Sequence, residues 1–72
     1  MASFKSLNVN SVVKIIDPSF IRGVSNPNIY RDTCAIVIGK DNSAETIQIK
    51  LFDGNVKWAK ATRVANSLEI VE

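Results

Sequence analysis

The residues best equipped for chemistry in this chain are cations and aromatics. Arg22, Tyr30 and Arg31 fall together in residues 17–32, a stretch with no strand pattern. A guanidinium offers a planar fork of donors that fits carboxylate or phosphate, and a tyrosine adds a ring with a polar handle. A second set, Gln48, Lys50 and Lys57, sits on an alternating segment and its return, where an amide and two ammonium groups share one polar face. An arginine-and-aromatic loop and a basic sheet face are both ways to hold a phosphate backbone. Each has a plainer alternative. The apolar loop residues Phe20, Ile21 and Ile29 plug one end of a core, and exposed lysines keep a surface solvated.

Enzyme chemistry finds little to work with. The chain has no histidine, which removes the commonest general base, the commonest metal ligand and any Ser-His-Asp triad. There is no glycine-rich phosphate loop. The acids Asp17, Asp32, Asp41, Glu45, Asp53, Glu69 and Glu72 are dispersed over turns and strand ends, and no two make an acid–base couple by their spacing. The chain therefore reads as a binding module and not an enzyme, with no metal, no cofactor and no small-molecule substrate inferred. The partner is either nucleic acid or a larger protein complex on which it docks, and oligomerisation is compatible with the composition. A formal net charge of +2 permits a polyanion without requiring one.

One cysteine, Cys34, makes an intramolecular disulfide impossible. A secreted domain this small is normally cross-linked, so a reducing, cytoplasmic setting is expected. Cys34 itself is read as a small filler in a buried strand. No apolar run approaches the roughly 20 residues of a membrane helix, and no membrane contact is expected.

The 72 residues make one domain, 46% hydrophobic, with enough apolar material for a compact core. Residues 1–10 read as a flexible lead-in whose Phe4 and Leu7 lie against the domain, and residues 11–72 as the domain itself. Strand signals recur near 11–17, 33–40, 44–52, 55–60 and 67–71, with a single helical turn near 61–65. The fold class is all-β: five strands closing into a small barrel, with a long loop between strands 1 and 2. Closure suits a short chain because it removes exposed edges. Asp53-Gly54 predicts a two-residue hairpin turn. That register puts Leu51 opposite Val56, Ile49 opposite Trp58, Lys50 opposite Lys57 and Gln48 opposite Ala59. Trp58 then points inward, and Lys60 falls on the core side at the strand end.

The run Val12-Val13-Lys14-Ile15-Ile16-Asp17-Pro18-Ser19, the long loop, residues 30–39 and the closing Ser67-Leu68-Glu69-Ile70-Val71 resemble an SH3-like barrel of the KOW type. Bacterial transcription-elongation factors and several ribosomal proteins carry that type. The stretch from Asp17-Pro18 through Arg22-Gly23 to Asn26-Pro27 and Tyr30 is similar to one archaeal and eukaryotic large-subunit ribosomal family. The first strand, the proline after it and the acidic-apolar tail also resemble the small stromal barrel subunit of photosystem I. The resemblance implies a single five-stranded SH3-like barrel. Its ribosomal side implies nucleic-acid contact, and its photosystem side implies docking on a protein complex. The chain departs from the KOW pattern at Ala35, where those segments place glycine, and close backbone approach to a ligand is what a glycine permits.

Overall fold

A computed structural model describes residues 3–71. It holds five strands, β1 (Val12–Ile15), β2 (Cys34–Asp41), β3 (Thr46–Lys50), β4 (Val56–Lys60) and β5 (Leu68–Ile70), with one short helix, α1 (Ala61–Val64), between the last two. All pairings are antiparallel, and the order is β4-β3-β2-β1-β5. The all-β, five-strand expectation holds, with each strand within a few residues of its expected place. β4 and β5 end the sheet, and among the described residues no ladder joins them. Among those residues, too, no helix is long and apolar enough to cross a membrane.

Period-two alternation decides which side chains go in. β1 buries Val13 and Ile15, β2 buries Ala35 and Val37, and β3 buries Ile47 and Ile49. Leu68 of β5, Leu51 just after β3 and Val64 of α1 extend the core, and Leu7, Ile21 and Tyr30 join it from the N-terminal segment and the long loop. Each aliphatic side chain buried in this way is worth about 1.5–3 kcal/mol relative to exposure. The same alternation turns Cys34, Ile36 and Ile38 outward. Cys34 is thus exposed, not a buried filler.

The N-terminal segment, read as a loose lead-in, is docked where it is described. Leu7 has no solvent exposure, and the Asn10 N–H bonds the Val37 carbonyl at 2.7 Å. Lys40, at the far end of β2, donates to the Phe4 carbonyl at 2.7 Å and stands 4.1 Å over the Phe4 ring. Met1 and Ala2 lie outside the described residues.

The long loop has local structure that its composition only hinted at. Two Asx-Pro pairs each start a 3-10 turn. Asp17 accepts from the Ser19 N–H ahead of Pro18–Phe20, and Asn26 accepts from the Asn28 N–H ahead of Pro27–Tyr30. Proline suits the first position of such a turn because its missing N–H has no partner there anyway. Between the turns Gly23 takes φ +78°, a conformation that costs glycine nothing and other residues strain. Ile21 is buried and Phe20 packs against the core, whereas Ile29 is half exposed, so the plug is made by Ile21 and Tyr30.

The β3–β4 hairpin differs from expectation by one residue. Leu51 N–H bonds the Asn55 carbonyl at 2.8 Å, leaving Phe52, Asp53 and Gly54 as a three-residue loop with Gly54 at φ +91°. Three-residue hairpins place glycine in this positive-φ position. The pairs become Ile49 with Lys57, Gln48 with Trp58, and Lys50 with Val56. A one-residue slip moves every side chain of a strand to the other face. Trp58 therefore points outward and is 59% exposed. Lys57 lies on the inner side with Ala59, half buried, and Lys60 on the outer side. Lys50 and Lys57 do not share a face.

A polar tie accompanies the longer turn. The buried Tyr30 donates its hydroxyl to Asp53 Oδ2 at 2.6 Å, and Asn55 Nδ2 donates to the same carboxylate oxygen at 3.0 Å and to the Tyr30 hydroxyl at 3.3 Å. Phe52 packs against the Tyr30 ring, with centroids 5.4 Å apart at 55°. The Asp53 carboxylate holds the Tyr30 phenol above its ordinary pKa, and the same bond holds Asp53 below the usual carboxylate range. For a phenol shifted upward, the stabilising contribution is complete below the unfolded value of about 10 and is lost as pH rises through the folded one. Tyr30 is the sole tyrosine, so phenolate absorbance reads this directly. The native midpoint is expected above that of the unfolded chain, and Asp53→Asn is expected to lower it. A native midpoint at or below the unfolded one means the tie is absent in solution.

Candidate nucleic-acid interface

Three separate segments meet at the free edge of β4. The 3-10 turn Pro18–Phe20 delivers Phe20, and the chain then leaves the buried Ile21 to expose Arg22. β4 contributes both of its faces at this edge, with Lys57 and Ala59 on the inner side and Trp58 and Lys60 on the outer. α1 starts directly after β4, anchored by the Ala61 N–H on the Glu45 carbonyl at 2.9 Å. Ala61 and Val64 are its buried residues, which leaves Arg63 pointing out. Phe20, Arg22, Arg63 and the β4 residues Lys57 to Lys60, with Thr46 of β3, line a groove of about 620 Å³.

The electrostatics of this groove are one-sided. Arg22, Lys57, Lys60 and Arg63 line it, and no acidic residue among the described ones does. None of the four makes an ion pair with a described residue; the one such pair is a 4.0 Å contact between Lys14 and Asp32, both well exposed. A chain of net charge +2 thus gathers four of its nine cations around one hollow. Like charges so placed, with no described carboxylate lining the groove beside them, raise the local concentration of an anionic ligand.

Much of the negative charge is committed elsewhere, inside turns. Asp17 is held below the usual carboxylate range first by the Ser19 backbone N–H. Asp41 is held down first by the Ser43 hydroxyl and then by the Ala44 and Ser43 N–H groups, and Asp53 by Tyr30. The dispersal of acids over turns reflects this capping work.

The sequence-predicted residues do not form one set. Arg22 and Lys57 enter the groove. Tyr30 is 1% exposed and its hydroxyl is used by Asp53, so it has no surface to offer a ligand. Arg31 turns away and spans the loop, donating to the Ile16 carbonyl at 3.1 Å and to Asn28 Oδ1 at 3.2 Å. Gln48 is half buried beside Trp58 on the outer face. Lys50 stands between Ile36 and Val56 on that face and borders a smaller apolar hollow with Val12, Cys34 and Phe52.

Phe20, Trp58, Lys60 and Arg63 were not in either predicted set. A usable signal for two of them was present. Lys60 and Arg63 are three residues apart across the start of a helical turn, a spacing that brings side chains to one side. For Trp58 and Lys60 the obstacle was register, since the two-residue turn assigned both to the core side.

Comparison with protein-family models, with curated proteins and with solved structures returns no match for this chain.

Proposed function

We propose that the chain is a non-catalytic, cytoplasmic module of SH3-like barrel architecture that binds nucleic acid through its phosphate backbone at the β4 edge. The barrel reading is supported by the strand order, in which the meander β1 to β4 is followed by a β5 that returns to β1. The single observation carrying the function is the groove lined by Arg22, Lys57, Lys60 and Arg63 with no described carboxylate in it. Phosphate contacts of this kind give affinity and register without reading sequence. Of the six residues expected from the sequence, Arg22 and Lys57 keep their roles in this reading, and Lys60 and Arg63 stand in for Tyr30, Arg31, Gln48 and Lys50, which do not line the groove.

A second reading, a protein-docking module, has its own observation. The outer sheet face exposes Ile36, Ile38, Val56 and Trp58, with Phe52 at the hairpin tip. The two readings part on salt. Neutralising three or four phosphates makes log affinity fall linearly with log salt, with a slope of roughly −2 to −4 depending on strandedness. A docked apolar face has a far weaker response. Fluorescence anisotropy of a labelled oligonucleotide across a salt series is expected to give the steep slope. A flat response would favour the protein-docking reading.

A further inference from the structure

We infer that the ligand of the β4-edge groove is a single strand, DNA or RNA, with a base stacked on Trp58 and its flanking phosphates held by the cations on either side of that strand. The inference rests on the nucleic-acid reading above and specifies the form of the ligand.

Trp58 is the chain's sole tryptophan and presents 59% of its surface to solvent. An indole is a large apolar body that proteins normally cover, yet here it stands on a regular strand, held in ladder with Gln48 of β3. β4 is a sheet edge, so among the described residues no further strand flanks it on the other side. Its position is therefore fixed by the backbone while its ring stays open, as a stacking platform requires. Along its own face it is followed by Lys60, and around the edge by Lys57. Arg22, from the loop, and Arg63, from α1, add two more positive charges to the lining of the same groove. Gln48 beside it adds donor and acceptor capacity without charge.

This combination separates single strands from duplexes. In a duplex the base faces are stacked on each other, and a protein meets only phosphates, sugars and base edges. An exposed indole then has nothing to cover it, and the cations alone act. An unpaired strand offers its base faces, and a positive groove with an aromatic platform is the arrangement that takes them with little sequence preference. The outer face also carries Val56 and Ile36, which an apolar protein surface could cover. Four cations gathered at the groove that Trp58 lines, none ion-paired with a described residue, favour a polyanion over such a surface.

The test uses the full chain and its one tryptophan. An oligothymidylate of about 12 nucleotides and a blunt duplex of equal length are titrated at the same low salt. The expected result is strong quenching of Trp58 emission by the single strand, with affinity at least about ten-fold above that for the duplex. Trp58→Ala is expected to weaken single-strand binding by about ten-fold or more while leaving the salt slope unchanged, and Trp58→Phe to retain most of it. Equal affinity for both ligands with no quenching would overturn stacking and leave a phosphate-only groove. Failure to bind either ligand would overturn the nucleic-acid reading itself. Concentration-dependent self-association that Trp58→Ala abolishes, with no nucleic-acid binding, would assign the face to a second copy of the chain.

Discussion

Leu7→Ala is expected to cost about 2–5 kcal/mol, the usual range for truncating a fully buried leucine. Leu7 precedes the first strand by several residues, but it is completely buried in the same cluster as Val37 and Ile47. At about 4–8 °C per kcal/mol for a domain of this size, the melting temperature should fall by at least about 8 °C. The effect is large because small domains bury a modest fraction of their surface and hold little stability in reserve. Val9→Ala is the control. That side chain is half exposed, so its loss should leave the melting curve nearly in place. If Leu7→Ala melted like the parent, the N-terminal segment would be a loose lead-in after all, and the core would close without it.

Replacing both Lys60 and Arg63 with glutamate should reduce oligonucleotide affinity on the order of 100-fold at low salt, since charge-assisted contacts are each worth about 1.5–3 kcal/mol. Losing two phosphate contacts should also flatten the salt slope by about two. Folding should be spared, because both side chains are exposed and neither is ion-paired with a described residue. The matched control is Lys5→Glu with Lys50→Glu, which removes the same charge from positions outside the groove. Equal losses from the two pairs would mean that overall charge, not this groove, holds the ligand. Greater loss from the control pair would move the site to the outer face around Lys50.

The parts of the fold legible in the sequence were those set by local pattern. Ile47 and Ile49 alternate with Thr46, Gln48 and Lys50, and the burial of β3 follows that pattern residue by residue. The Asp17-Pro18 pair ends the first ladder, and Gly23 bends the loop, both for reasons internal to a few residues. The hairpin register was different. Asp53-Gly54 satisfies a two-residue turn as well as the last two places of a three-residue one. The structure takes the longer turn, with Asp53 on the hydroxyl of Tyr30, a partner 23 positions away. Once that slip was made, Trp58, Lys57 and Lys60 all changed sides together. The groove was illegible for a related reason. Its lining comes from Phe20 and Arg22 of the loop, from Thr46 of β3, from β4 and from α1, and only the completed sheet brings those segments together.

The pairing of β5 with β1 bears on the order of events in time. Val13 opposes Ile70, and the Val71 N–H bonds the Val12 carbonyl at 2.9 Å, so this ladder joins residues from nearly opposite ends of the chain. Closing so long a loop costs more chain entropy than closing the short turns that connect β2, β3 and β4. Non-local pairings of this kind slow folding. The three middle strands can therefore assemble as a local meander before the ends meet, and the three-residue β5, an edge strand paired on one side, is the piece to zip last and fray first. Strand β4, which carries Trp58 and Lys60, belongs to the early part. The proposed binding edge is consequently built in the locally assembled part of the sheet, and the seam on its far side is the last to close.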